Sequence, residues 1–68
     1  MIVYRVQIYG NEFILRHPDH CVPLIQCKTQ QEVIDKLPEY FAKSKLRCKV
    51  QVIDAEGRYQ HTLEFPVG

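Results

Sequence analysis

The chain has 68 residues, enough for one compact core and too few for two. A hydrophobic fraction of 46% and a charged fraction of 25% are those of a globular protein and exclude a disordered one. Nine basic side chains against eight acidic ones, a net charge of +1, exclude the strongly basic balance of a general nucleic-acid binder, so only the placement of charge is informative.

No apolar run approaches membrane-spanning length. Met1 to Tyr9 carries Arg5 in its middle and lacks the charged start, apolar centre and small-residue cleavage site of a signal peptide, so the expected compartment is the cytoplasm. Cys21, Cys27 and Cys48 are an odd number, which points to reduced thiols rather than a disulfide framework.

Ile2, Tyr4, Val6 and Ile8 alternate with Val3, Arg5, Gln7 and Tyr9, the period of a strand with one buried face. Gly10-Asn11 signals a tight turn, and Glu12 to Arg16 reads as a second strand with Phe13 and Leu15 toward the core. His17 to Pro23 breaks the pattern between two prolines that cannot donate to a ladder, and reads as a loop. Leu24 to Cys27 reads as a short extended return toward the sheet.

Thr29-Gln-Gln-Glu32 is a capping box: the Thr29 side chain accepts from the Glu32 N–H and Glu32 reaches back. Val33, Ile34, Leu37, Tyr40 and Phe41 follow at helical spacing as one apolar stripe. Pro38 removes the bond to the Ile34 carbonyl, so the helix is expected to kink there or to stop and restart. Lys43-Ser44-Lys45 places cations where the helix dipole favours them. Leu46, Cys48, Val50 and Val52 alternate with Arg47, Lys49, Gln51 and Ile53 as a strand. Asp54 to Gly57 is a turn, and Arg58 to Phe65 is the last strand, with Tyr59, Leu63 and Phe65 on the core face and Pro66 ending it.

Residues 1–68 therefore read as a single α+β domain of order β-β-α-β-β: an antiparallel sheet of about four strands with one helix on one face. The other face is left over. Alternation puts Val3, Arg5, Gln7 and Tyr9 on it from the first strand, Arg47, Lys49, Gln51 and Ile53 from the third, and Arg58, Gln60, Thr62 and Glu64 from the fourth. That is four cations against one anion, while the helix carries Glu32, Asp35 and Glu39 against Lys36. A solvated face accounts for such residues. Read functionally, the same residues make an electrostatic docking surface for a larger partner.

The densest set of ligand-type side chains is His17, Asp19, His20, Cys21 and Cys27, but it lacks a C-x-x-C and has poor zinc spacing, so it reads as a polar loop and no metal or other cofactor is expected. Cys21 beside His20 has no third, orienting residue in view, and a chain of this size leaves little room for a substrate pocket, so no catalytic residue is assigned. The glycines Gly10, Gly57 and Gly68 are isolated and make no phosphate-cradling loop.

A hairpin, a Thr-capped helix and a second hairpin closed by an acidic-Gly-Arg turn resemble the layout of many short bacterial and phage proteins. That likeness implies an accessory protein of a bacterium, phage or mobile element; some of these, such as anti-CRISPR proteins, occupy a surface of a larger complex. The reading of the residues is a non-catalytic protein-interaction module that binds a protein partner through Arg5, Tyr9, Arg47, Lys49, Ile53 and Arg58. Two other readings stand beside it. One is nucleic-acid binding by the same face, for which Tyr9 is the one good stacking aromatic. The other is a homodimer that buries Ile14, Val22, Ile25 and Val67.

Overall fold

A computed structural model describes residues 2–43 and 47–65. Strand β1 (Ile2–Tyr9) turns into β2 (Glu12–Arg16), which returns as β3 (Ile25–Cys27). Helix α1 (Gln30–Tyr40) follows, and β4 (Cys48–Ile53) and β5 (Tyr59–Phe65) close the chain. The five strands form one sheet in the order β3-β2-β1-β4-β5. Of the expected cations near the helix end Lys45, with the strand start at Leu46, Pro66 and Val67, lies outside the described residues.

The α+β class and the single covering helix are as the sequence indicates, but the sheet has five strands and is mixed. β1 and β4 pair in parallel, and the other three pairings are antiparallel. The cause is β3. Without it the chain would reverse once before the helix and β4 would run against β1. The three residues Ile25–Cys27, hydrogen-bonded along β2, add one reversal, so the helix runs the other way and β4 comes back alongside β1 in the same direction.

Local chemistry sets the turns. Gly10 takes φ +64° and no non-glycine residue among the described ones has a positive φ, the signature of a type II′ hairpin with glycine first. In the β4–β5 turn, Asp54 Oδ1 accepts from the N–H groups of Glu56 at 3.0 Å and Arg58 at 2.8 Å, and Gly57 takes φ +82°.

One half of the expected capping box forms at the helix start: Thr29 Oγ1 accepts from the Glu32 N–H at 3.2 Å. Glu32 reaches back to the Thr29 hydroxyl rather than to its backbone N–H, with Oε1 accepting from that hydroxyl, also at 3.2 Å. The helix passes through Pro38 as one element, neither stopping nor restarting there, and ends two residues later at Tyr40.

The helix lies across β1, β2 and β3. Its stripe of Val33, Leu37 and Phe41 meets Val6, Leu15, Cys27, Cys48, Val50 and Phe65, with Tyr4, Phe13, Ile25, Ile34 and Leu63 packed around them. Val6, Leu15, Val33, Leu37 and Val50 are fully buried, each stabilising the fold by about 1.5–3 kcal/mol before the entropy of ordering. At the helix C-terminus an aromatic chain runs from His17 edge-on to Tyr4 at 5.2 Å, Tyr4 edge-on to Phe41 at 5.1 Å, and Phe41 stacked on Phe65 at 5.3 Å. At the other end Gln30 Nε2 donates to the Ile53 carbonyl at 3.1 Å and to Gln60 Oε1 at 2.9 Å, tying the helix start to the β4–β5 end of the sheet.

Candidate functional site

The helix covers one face of the sheet, and no second helix among the described residues covers the other. Pairing fixes what the open face carries, because directly opposed residues project to the same side. Val3 lies opposite Lys49, which lies opposite Glu64. In the next row Arg16 lies opposite Arg5, Arg5 opposite Gln51, and Gln51 opposite Thr62. In the row after that Gln26 lies opposite Ile14 and Ile14 opposite Gln7, and beyond them Tyr9 lies opposite Glu12.

Of the six residues assigned from sequence, Arg5, Tyr9, Lys49 and Ile53 stand on this face in β1 and β4. Arg47 is exposed immediately before β4. Arg58 belongs to the turn: its N–H is held by Asp54 and its carbonyl accepts from the Asp54 N–H at 2.9 Å. It stands at the border of the face rather than in the strand expected to present it.

Tyr59 corrects the sequence reading. It was expected toward the core with Leu63 and Phe65, yet it is 59% exposed. The ladder slips between Val52 and Ile53: Val52 faces His61 and Ile53 faces Tyr59, leaving Gln60 as an extra residue. Tyr59 is thereby turned to the open face, where its hydroxyl lies 2.7 Å from Thr62 Oγ1. Gln60 is turned away from the open face and bonds the helix start through Gln30. The face thus presents two exposed tyrosines, Tyr9 and Tyr59, rather than one.

Ile14, left outside the expected core, is 1% exposed although it sits on the side opposite the helix. Gln7 and Gln26 flank it across the ladders, and Cys21 joins Gln7, Tyr9, Ile14 and Arg16 around one shallow depression. Arg16 is the residue the sequence reading missed, and its signal was present: it alternates with Leu15 in β2 as Arg5 does with Val6 in β1. Its Nε donates to the His20 carbonyl at 3.2 Å. The loop after β2 therefore forms a rim of the open face, and the two regions distinguished by sequence adjoin. A broader depression of about 580 Å³ opens between β1, β4 and β5, with Arg5, Gln7, Gln51, Ile53, Asp54 and Tyr59 in its walls.

The loop's ligand-type residues do not converge. Cys27 faces the helix in the core, Cys21 lies on the open side, and His17 packs on Tyr4 with His20 tilted against it at 4.6 Å. Among the described residues no three His, Cys, Asp or Glu side chains gather as metal ligands. Burial pushes the Cys48 thiol up, and pushes the Tyr4 hydroxyl up with further contributions from Cys48 and Tyr40. Both groups belong to the core rather than to a cleft.

Charge on the open face is unevenly placed. Lys49 pairs with Glu64 at 3.9 Å, both well exposed, a contact of at most about 1 kcal/mol. Glu12 accepts from Gln26 Nε2 at 2.8 Å at the far corner. Arg5 and Arg16 make no ion pair among the described residues.

No helix of the described chain is long and apolar enough to cross a membrane. No family model, no curated protein and no solved structure matches the chain, so its geometry alone supports a functional reading.

Proposed function

We propose that this chain is a non-catalytic module that docks a larger, acidic protein on its open sheet face. The observation that supports the reading is the content of that face: exposed Tyr9 and Tyr59 and half-buried Val3 and Ile53 set among Arg5, Arg16, Lys49 and Arg47. Tyrosines and arginines around a small apolar centre are the composition of protein interface hot spots. Arg58, at the turn, borders this surface, and the acidic helix lies on the other side of the sheet.

The test is comparative capture of partners from host cells, quantified by mass spectrometry. A Tyr9→Ala/Lys49→Glu chain should lose a protein that the unaltered chain retains. An Asp35→Lys/Glu39→Lys chain, altered on the helix, should keep it, all three melting at closely similar temperatures. The reverse pattern would move the docking surface to the helix and overturn the reading.

Nucleic-acid binding by the same face is the second reading, and Tyr59 favours it by giving Tyr9 a companion for base stacking. Against it, Glu12 and Glu64 stand at opposite corners of the face, where a strand carrying a phosphate at every nucleotide would meet them. Binding to an oligonucleotide that weakens steeply with salt would support this second reading.

A further inference from the structure

We propose that Arg5 and Arg16 form a carboxylate-binding site that seats an acidic side chain of the partner; this deepens, and rests on, the reading of the open face as a protein-docking surface.

The two residues are directly opposite each other in β1 and β2, and side chains so placed lie on one face with Cβ atoms about 4.5–5.5 Å apart. Like charges in this position repel, and neither arginine has a carboxylate partner among the described residues. Arg16 is held through one nitrogen only: its Nε donates to the His20 carbonyl, which leaves both Nη groups without a protein acceptor among the described residues. Gln51, on the other side of Arg5, brings a carboxamide to the same row.

These three side chains, with Val3 and Pro18, wall an open depression of about 450 Å³. Two guanidinium forks offer hydrogen-bond donors and no acceptor, and the Gln51 amide adds two more donors. A carboxylate offers two oxygens and about four lone-pair sites, and pairs with guanidinium in bidentate fashion. Its charge also removes the repulsion between the two arginines. Val3 and Pro18 provide apolar walls for the methylene groups of an Asp or Glu side chain.

A single carboxylate fits this site better than a phosphodiester strand. The unpaired cations stand side by side near the middle of the sheet. Beyond them the face turns acidic, at Glu64 past Lys49 and at Glu12 past Ile14. A point anion meets only the arginines, whereas a polyanion crossing the sheet would meet both glutamates.

The experiment follows the Arg Nε–Hε signals of the isotope-labelled chain by NMR at constant ionic strength. The probe is N-acetyl-Ala-Glu-Glu-Ala-amide; the Ala-Gln-Gln-Ala analogue and a ten-nucleotide oligothymidine serve as comparisons. Expected are saturable shifts at Arg5 and Arg16 with the Glu peptide alone, and at least a tenfold loss of affinity in Arg5→Gln. The unliganded Arg5→Gln chain should melt no lower than the unaltered one, because it lacks the repulsion. Absence of saturable shifts, or equal affinity in Arg5→Gln, would overturn the site. Tighter binding of the oligonucleotide than of the Glu peptide would overturn it in favour of phosphate. Should the site fail while Tyr9→Ala/Lys49→Glu still loses its captured protein, the docking reading survives without it. Should peptide binding hold while capture is indifferent to Tyr9 and Lys49, the docking reading fails and the anion site stands alone.

Discussion

Tyr59 lies opposite Ile53 on the open face, one residue out of step with the alternation that carries Phe65, Leu63 and His61 toward the helix side. The slip turns the ring that the sequence assigned to the core onto the surface proposed for docking. Its hydroxyl is 2.7 Å from Thr62 Oγ1, and both residues are exposed.

That contact is testable by a double-mutant cycle. Tyr59→Phe and Thr62→Val each remove one partner of a solvent-accessible hydrogen bond, and each should lower stability by about 0.5–1 kcal/mol. The double variant should cost clearly less than the sum of the two, because the second change removes a bond already lost. Urea midpoints at unchanged slope supply the measurement. Strict additivity would show that the two hydroxyls do not interact, and would question the bulge that brings them together.

The bulge was not legible because no local signal marks it. Tyr59, His61, Leu63 and Phe65 alternate without a break, so period-two reading carries the core face one residue too far. Its partners are remote or in the turn: Gln60 is held by Gln30, thirty residues away, and Arg58 is paired with Asp54. The parallel β1–β4 pairing was hidden for a different reason. It depends on three residues following a proline-bracketed loop, and leaving β3 outside the sheet reverses the direction assigned to β4.

The Thr29 cap, the buried stripe of Val33, Leu37 and Phe41 and both turns were legible, since each is a short-range pattern with a physical cause, whereas Tyr40, expected in the same stripe, is exposed. The apposition of the two arginines was also legible in principle. A two-residue turn at Gly10-Asn11 pairs Tyr9 with Glu12, and stepping back along both strands brings Arg5 to Arg16. The open side of β2 carries Glu12, Ile14 and Arg16, acidic, apolar and basic in turn, which makes no pattern of its own, so Arg16 lies outside the site expected from the sequence. Ile14 could not have been placed, because its burial comes from neighbours across two ladders and from the loop beyond β2.

Pro38 is the clearest conflict between local preference and the fold. It sits in the last turn of the helix, exposed, next to fully buried Leu37. Its missing N–H leaves the Ile34 carbonyl without the usual helical donor. Replacing it with Ala restores that donor and relieves the ring's clash with the preceding turn, a gain of up to about 3 kcal/mol in a helix interior. The more flexible unfolded chain offsets roughly 0.4–1 kcal/mol of this. Pro38→Ala should therefore stabilise the protein by about 1–2.5 kcal/mol, a raised urea midpoint at constant slope. A variant no more stable than the parent would mean that the helix end already accommodates the proline without strain.

The three thiols occupy three environments, and alkaline pH should separate them. Cys21 is exposed, whereas Cys27 and Cys48 are buried, Cys48 to 4% exposure. Under native conditions at neutral pH a thiol reagent should label Cys21 alone, and all three only after unfolding. Burial pushes the Cys48 thiol above its ordinary 9.0 and the Tyr4 hydroxyl above its ordinary 10.0, the latter also through Cys48 and Tyr40. With rising pH the unfolded chain then loses these protons before the folded one does, so the unfolded state binds fewer protons and the slope of stability against pH is negative. The contribution is present in full below the unfolded thiol value and falls as pH rises through 9.0 and 10.0, until the raised folded values are passed. Urea midpoints from neutral pH upward should be level at first and then decline, and Cys48→Ala should flatten the earlier part of the decline. A midpoint that holds constant through this range, or rapid native labelling of Cys48, would contradict the placement of Cys48 against Phe65 in the core.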